Sequence, residues 1–310
     1  MFSKKGAESS DHFSHLRQAV WTGLILGVTS VVLLVTSGRA YSPALFLRNA
    51  LIYLPISACY MISMIIGYAG LRYLEISIVS PVQNGSGALA ALIVLAWHLA
   101  TRNISAVREL VRLPDVLGSL MIFGGVTALA VTERRCVDAR GDLADTPADK
   151  KYRRGFRALM FPILYCVFDA AGTAMDGILL EGRSDFRLDE TEVLILYGIT
   201  FLAAAVVCWV CLWIKEHKPY IPFKTHEAPK ALTGMFESFG QVFYVYAMAG
   251  NPVISPPIIS SSCALSVLLG RIVLKEKLRT AQYVCIGAVI GGIVLPPIAN
   301  LFSGGFPIAP

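Results

Sequence analysis

Acidic residues inside apolar segments are the first candidates for chemistry in this sequence. The segment FRALMFPILYCVFDAAGTAMDGILLEG carries Asp169 and Asp176 seven residues apart, with Thr173 between them. Seven residues are two helical turns, so the three side chains are expected on one face of a helix. A carboxylate in apolar surroundings is costly unless it is protonated or paired. We therefore expect this face to bind a proton or a cationic group, with Asp169 as the principal acid.

A second acid lies in another apolar segment. Glu237 occurs in KALTGMFESFGQVFYVYAMAG, and Gln241 follows four residues later on the same helical face. Glu237 could share a proton or a substrate amine with Asp169. The alternatives are an ion pair of Glu237 with a loop lysine, a purely structural hydrogen bond of Asp169, and a structural or interfacial role for Asp176.

Uncharged polar residues interrupt two further apolar segments at matching places. Gln83 and Asn84 do so in the first half of the chain, and Ser260 and Ser261 in the second. Small polar side chains in such segments either line a cavity or allow two helices to approach closely. Prolines nearby loosen the backbone hydrogen bonds, and the candidate hinges are Pro81, Pro256 and Pro257.

The composition indicates the surroundings of these residues. Of 310 residues, 55% are apolar and 15% are charged, whereas a soluble chain averages about 25% charged residues. A soluble fold with so few charges would expose large apolar patches, so lipid is expected around most of the chain. The net charge of +6 comes from basic residues scattered through short polar breaks, which argues against nucleic-acid binding. The seven cysteines form no disulfide or metal-ligand pattern.

Nine apolar runs approach the length of about 20 residues that a membrane-crossing helix needs. The predicted fold class is therefore all-α: a polytopic helical membrane protein with about nine transmembrane helices. The runs cover approximately 19–37, 51–71, 76–98, 115–132, 156–180, 191–214, 229–249, 253–273 and 281–300.

The chain contains a weak internal repeat. IVSP at 78–81 matches VISP at 253–256, and the shift that moves position 78 onto position 253 also makes the apolar runs of the two halves coincide. We call this shift the repeat offset. Equivalent runs are an odd number of crossings apart, which predicts inverted repeats, a transporter architecture. The fifth run has no counterpart, so the first repeat looks one helix short.

The repeat predicts how the chain is divided. The predicted divisions are a polar arm (1–18), a first repeat (19–132), a connecting loop (133–155), a second repeat (156–300) and a tail (301–310).

Lysine and arginine are concentrated on one side of this predicted topology. Twenty of the 27 basic residues fall in the N-terminal arm and in the breaks on the same side. Cytoplasmic loops carry such an excess of positive charge. We therefore expect a multi-pass protein of the cell (plasma) membrane, with its N-terminus in the cytoplasm and its C-terminus outside.

Residues 242–297 carry the strongest resemblance to a known family. They read VFYVYAMAGNPVISPPIISSSCALSVLLGRIVLKEKLRTAQYVCIGAVIGGIVLPP, which resembles the EamA-like family of the drug/metabolite transporter superfamily, and residues 67–98 repeat part of this pattern. The string DAAGT at 169–173 is similar to the first helix of the small multidrug resistance proteins. There an embedded Glu followed by Gly-Thr binds protons and cationic drugs, and the resemblance implies that role for Asp169.

The resemblance implies a secondary transporter that moves a small organic metabolite or drug by alternating access. Asp169 and Glu237 are the candidates for an exchange of protons, and the sequence leaves the coupling ion open. No enzymatic activity, cofactor or metal is expected, and no Walker A motif indicates an ATP-driven pump. The expected partners are the lipid bilayer and a small-molecule substrate, and the sequence is compatible with a homo-oligomer. The alternatives are a membrane enzyme acting on lipid-linked substrates, for which 133–155 is the candidate loop, and a non-transporting partner subunit.

Overall fold

The computed structural model describes residues 13–38, 42–70, 76–101, 113–141, 155–181, 188–218, 220–221, 227–262 and 280–302. These residues form helices and no strands. The helices are α1 (Ser14–Thr36), α2 (Pro43–Gly70), α3 (Ile76–Thr101), α4 (Leu113–Gly141), α5 (Gly155–Leu180), α6 (Glu190–Glu216), α7 (Ala228–Gly250), α8 (Ser255–Ser260) and α9 (Thr280–Phe302).

Several helices are suited to cross a bilayer by length and composition. A helix satisfies all its backbone hydrogen bonds internally, as the lipid interior requires. Among the described residues, five segments qualify: Ser14–Thr36, Pro43–Gly70, Gln83–Thr101, Met160–Leu180 and Glu190–Glu216. The prediction of an all-α, multi-pass membrane protein is thereby confirmed. The helix α7 is not among the five, although its apolar run at 229–249 was predicted to cross the membrane. It carries Lys230, Glu237 and Gln241, which lower its mean hydropathy.

Polar and apolar side chains are distributed in the reverse sense to a water-soluble protein. Ser57, Ser63 and Asp176 have no exposed surface, whereas Phe239 and Phe243 are more than 60% exposed. Exposed aromatic side chains at this density would promote aggregation in water. In lipid they are favourably placed, so the outer surface of these helices is a lipid-facing surface.

Packing divides the chain into two compact units. Unit 1 covers Met1–Ile76 with Arg154–Gly250, and unit 2 covers Ser77–Arg153 with Asn251–Pro310. Unit 1 therefore holds α1, α2, α5, α6 and α7, and unit 2 holds α3, α4, α8 and α9. Each unit combines helices from both halves of the sequence, so the units do not coincide with the two predicted repeats.

In unit 1, α1 and α6 pack closely and antiparallel at two equivalent glycines. A Cβ at Gly23 would overlap the carbonyl of Phe201, and a Cβ at Gly198 would overlap the carbonyl of Leu26. The repeat offset relates Gly23 to Gly198, and it also relates Leu26 to Phe201. The two contacts are therefore copies of each other, as the sequence repeat predicted.

The contact between Gly27 and Leu202 lies at the centre of this arrangement. A Cβ at Gly27 would come within 2.6 Å of the Leu202 Cβ. The repeat offset moves Gly27 onto Leu202. Exchanging the two copies of the repeat therefore maps this contact onto itself. A pseudo-two-fold axis therefore passes through it, and α1 and α6 run in opposite directions about that axis, as inverted repeats require.

The same relation extends to α2 and α7 of unit 1. The helix α7 runs parallel to α1, with Gly234 against Thr22. The helix α2 runs parallel to α6, with the rings of Tyr60 and Tyr197 5.7 Å apart. The repeat offset moves Thr22 of α1 onto Tyr197 of α6. The contact of α7 with α1 and the contact of α2 with α6 therefore lie at equivalent positions along α1 and α6. The helix α5, which packs along α2, has no counterpart in this scheme.

In unit 2, α4 and α9 pack antiparallel through small residues. Gly125 of α4 lies against Cys285 and Val289 of α9, and Gly292 of α9 lies against Gly118 of α4. Glycines of this kind let two helix backbones approach in a membrane, where van der Waals contact replaces the hydrophobic driving force.

Some predicted boundaries differ from the observed ones. The helix α1 begins at Ser14, inside the predicted polar arm, and α4 continues to Gly141, inside the predicted connecting loop. The sequence after residue 132, ERRCVDARG, contains good helix formers and no Pro, so the helix continues beyond its apolar part. Residues 142–154 of the loop, 263–273 of the eighth run and 303–310 of the tail lie outside the described residues.

Candidate functional site

The acidic face of α5 is buried in unit 1. Asp176 has no exposed surface, Thr173 is 5% exposed, and Asp169 is partly buried. The burial of Asp176 does not agree with the interfacial role considered for it. The structure thus brings the three predicted residues of α5 to the packed side of the helix.

Tyr60 of α2 connects this face to a second helix. Its hydroxyl donates to Asp176 Oδ2 at 3.2 Å or to Thr173 Oγ1 at 3.3 Å. The Tyr60 ring reaches this position because Gly172 has no side chain, since a Cβ there would already lie 3.3 Å from the ring. Gly172 therefore has a packing role on α5.

Three further tyrosines lie next to Tyr60 or to the Asp176 carboxyl group. The hydroxyls of Tyr60 and Tyr244 are 2.5 Å apart, which brings α7 into contact with α2. Tyr197 of α6 packs edge-on against the Tyr60 ring, and Tyr53 interacts electrostatically with Asp176. We call Tyr53, Tyr60, Tyr197 and Tyr244 the tyrosine cluster.

Two atoms of this site are buried and have no hydrogen-bond partner within the described residues. They are Oδ1 of Asp176 and the hydroxyl oxygen of Tyr53. Both side chains have no exposed surface. Buried polar atoms are nearly always hydrogen-bonded, and each exception calls for an explanation.

Asp169 and Glu237 form a second acidic site, on α5 and α7. The two carboxylates interact electrostatically, and Tyr165 interacts with both of them. Tyr68 of α2 interacts with Glu237. The structure thus brings together the two acids that the sequence analysis considered as partners, and we call Asp169 and Glu237 the acid pair.

The polar strip of α7 continues from Glu237 to Gln241. Gln241 is 8% exposed, and its amide nitrogen is buried without a partner in the part of the chain that the structure describes. The alternative for Glu237 was an ion pair with a loop lysine. The nearby Lys230 forms its ion pair with Glu227, with Nζ 2.8 Å from Oε2.

A network of charged groups joins the first turn of α1, the end of α6 and the start of α7. Arg17 donates to Glu216 Oε1 at 2.6 Å, and the hydroxyl of Tyr220 donates to Glu227 Oε2 at 3.1 Å. Burial and the Glu227 carboxylate raise the pKa of Tyr220, so this hydroxyl remains a donor. Glu227 and Lys230 are at most 4% exposed, so this end of unit 1 is held by desolvated charges.

The polar candidates of unit 2 are placed in a different environment. Asn84 accepts a hydrogen bond from Ser262 at 3.4 Å, and Gln83 is partly buried. Ser260 packs against Gly87, where a Cβ would overlap its hydroxyl. Ser261 donates to the carbonyl of Ile258 in its own helical turn. These contacts match the close-packing alternative for the serines.

The candidate hinge prolines occupy two kinds of position. Pro256 and Pro257 lie in the first turn of α8, where a helix has no backbone hydrogen bond for proline to remove. Pro81 lies inside α3, of which only the backbone is described at that point. The hinge role of all three stays a prediction.

Sequence reasoning missed the tyrosine cluster and the charged network. Tyr53 and Tyr60 are seven residues apart in LIYLPISACYMISM, the same spacing as Asp169 and Asp176, and this was the available signal. Arg17 and Lys230 were counted as loop charges, although the structure buries Lys230 against Glu227. No spacing in the sequence connects Arg17 to Glu216, 199 residues away.

The fold and the buried acids define a class before any comparison: an all-helical, multi-pass membrane protein with ionisable groups inside its helix bundle. Residues 177–296 match the model of the EamA-like transporter family. The resemblance seen in the sequence is therefore confirmed over that segment, and it is consistent with the drug/metabolite transporter superfamily.

Comparison with solved structures supports the same fold over the whole chain. One crystal structure, described only as "Crystal structure of protein", matches with a TM-score of 0.62 and 14% sequence identity. The match covers 98% of this chain and 92% of the other. At this identity it shows the fold alone. No curated protein matches the sequence significantly.

Proposed function

We propose that this protein is an EamA-like secondary transporter that moves a small organic metabolite or drug across the cell membrane by alternating access. The observation that carries the proposal is the acid pair, in which carboxylates from α5 and α7 interact inside a helix bundle. Ionisable groups inside a membrane bundle are rare, and they mark substrate and proton pathways.

The acid pair suits the binding of a proton or of a cationic group. Two interacting carboxylates repel when both are ionised, and a proton or an amine between them relieves the repulsion. Competition between a proton and a substrate for Asp169 and Glu237 would couple their movements. The aromatic hydroxyls of Tyr165 and Tyr68, which interact with Glu237, would help to orient a polar substrate.

Transport can be tested with the full chain in proteoliposomes that carry a pH gradient. The probes are labelled choline and a mixture of labelled amino acids. We expect Asp169→Asn and Glu237→Gln each to lower the gradient-driven flux about tenfold or more, equivalent to about 1.4 kcal/mol or more. The double variant should be no worse than either single one, because coupled residues are not additive.

The matched control is Glu190→Gln, which removes an acid from the first turn of α6 and should leave flux unchanged. If the flux of Asp169→Asn and its dependence on pH equal those of the wild type, the acid pair is not the coupling site. If no probe moves through the wild-type protein, transport of this class of solute is contradicted.

A further inference from the structure

Asp176 is the most deeply buried acid of α5, and the proposed transport step at the acid pair does not use it. It has no exposed surface, so a solute could not reach it without movement of the surrounding helices. Tyr60 donates to its Oδ2, and Tyr53 lies beside the same carboxyl group. The question is how the other oxygen of this carboxyl group is satisfied.

The groups around Asp176 and its neighbour Tyr60 come from four helices. They are Thr173 and Asp169 on α5, Tyr53 and Tyr60 on α2, Tyr197 on α6, and Tyr244 on α7. Within the described residues none of them is basic. A carboxylate in such a place has no cation to compensate its charge, and burial of an uncompensated charge strongly favours the neutral form.

The two unpartnered atoms can be joined either by the proton of Tyr53 or by a proton on Asp176. The Tyr60 hydroxyl directs its proton to Asp176 Oδ2, so Tyr244 supplies the proton of the Tyr60–Tyr244 hydrogen bond. On the other side, Asp176 Oδ1 and the Tyr53 hydroxyl both lack partners within the described residues. Donation by Tyr53 to an ionised carboxyl group and donation by a protonated Oδ1 to the Tyr53 oxygen would each satisfy both atoms. Because no cation lies near among the described residues to compensate the ionised form, the second arrangement is favoured.

We propose that Asp176 is a second proton-binding site, separate from the acid pair, and that its protonated form donates from Oδ1 to Tyr53. The hydrogen-bonded chain then runs from Tyr244 through Tyr60 and Asp176 to Tyr53, and it ties α7, α5 and α2 together. Loss of the proton would reverse the Asp176–Tyr53 link, with Tyr53 as the donor, and would leave an uncompensated charge in the cluster.

The two acidic sites influence each other through the same helix. Asp176 and Asp169 are seven residues apart on one face of α5, and Tyr60 interacts with both of them. Loss of the proton from Asp176 leaves a further negative charge near the acid pair. A coupling role for Asp176 rests on the proposed transport function, whereas the proton site itself does not.

The proton site can be tested by infrared difference spectroscopy of the full chain in lipid nanodiscs during a pH titration. We expect the wild type to show the carbonyl band of a protonated, hydrogen-bonded carboxyl group. Asp176→Asn should remove this band, and Asp169→Asn should retain it. Persistence of the band in Asp176→Asn overturns the proposal.

Tyr53→Phe tests the acceptor with a smaller change. Removal of the hydroxyl oxygen leaves the Asp176 carboxyl without its acceptor, so its band should shift to higher frequency. Tyr246→Phe is the control, because Tyr246 lies on α7 and is 56% exposed. In this variant the carbonyl band of Asp176 should not move. An unshifted band in Tyr53→Phe overturns the proposal even where Asp176→Asn fails to fold.

The two proposals can fail independently. A band assigned to Asp176 in a protein that moves no probe supports the proton site and contradicts the transport function. Proton-driven flux through a protein whose band persists in Asp176→Asn contradicts the proton site alone.

Discussion

At the scale of single residues, the buried charges of unit 1 occur in two settings. Glu227 is compensated by Lys230 and accepts a hydrogen bond from Tyr220. Asp176 is surrounded by hydroxyl groups and, within the described residues, has no basic neighbour. A compensated charge holds helices together, whereas an uncompensated one is free to exchange a proton. We therefore expect Glu227 to stabilise the helix bundle and Asp176 to bind a proton.

We expect Lys230→Met to destabilise the protein by about 1–3 kcal/mol, because it removes the nearer cation of the buried Glu227 carboxylate. Arg17 then remains, with its Nη1 3.9 Å from Glu227 Oε1. The free energy of unfolding in mixed detergent micelles measures the effect. Lys218→Met removes an exposed lysine and is the control, with an expected change within about 0.5 kcal/mol. Equal effects of the two substitutions would contradict a stabilising role of the buried pair.

Sequence reasoning found the acids but not the groups that surround them. Asp169, Asp176 and Glu237 stand out because a carboxylate is costly in an apolar segment. Tyr53 and Tyr60 do not stand out, since tyrosine is an ordinary residue near membranes. Their importance depends on which helix packs against α2, and no local pattern contains that information.

At the scale of helices, glycine decides how closely α1 and α6 approach. A Cβ at Gly23 would lie 2.7 Å from the Ala205 Cβ, and a Cβ at Gly198 would lie 2.7 Å from the Ser30 Cβ. Real Cβ atoms do not approach to this distance, so the interface needs a glycine on both helices. The two sites are equivalent under the repeat.

We therefore expect Gly23→Ala and Gly198→Ala to destabilise the protein by similar amounts, about 1–3 kcal/mol each, through overpacking. Thermal unfolding in detergent measures the change. In Gly240→Ala the new methyl group would meet no atom within 4 Å, so this variant should be neutral or more stable by up to about 1 kcal/mol. Destabilisation by only one of the paired substitutions would contradict their equivalence.

The ends of the helices were the least predictable feature at this scale. Apolar length marks the part of a helix inside the lipid, but α4 continues through charged residues to Gly141, where solvent no longer requires apolar side chains. Likewise α2 begins at Pro43, well before the predicted apolar run at 51–71. The positions of the helices were predictable from hydropathy, and their ends depend on local helix formers and breakers.

At the scale of the whole chain, the repeat offset was the most informative signal in the sequence. It came from weak identity, yet it relates Gly23 to Gly198 and their contacts on the opposite helix. The division into compact units could not be predicted in the same way, because each unit combines helices from both halves. Sequence order contains the repeat, but it does not contain the choice of packing partners.

Opposite directions of α1 and α6 predict opposite sides for the segments that follow them. A reporter fused after Gly38 should lie outside the cell, and one fused after Lys218 should lie in the cytoplasm. Paired alkaline phosphatase and fluorescent protein fusions measure this directly. If both fusion sites lie on the same side of the membrane, the inverted arrangement is contradicted. If the site after Gly38 lies in the cytoplasm and the site after Lys218 lies outside, the predicted cytoplasmic N-terminus is contradicted.

The contact at the pseudo-symmetry axis has a consequence for how such a protein can arise. Gly27 and Leu202 occupy equivalent positions, yet one is the smallest residue and the other fills the space that it leaves. A homodimer of one repeat would bring two identical residues face to face, two glycines with a gap or two leucines in collision. A single polypeptide that carries both copies is free of that constraint, so the two equivalent positions can hold a small residue and a large one that fit together.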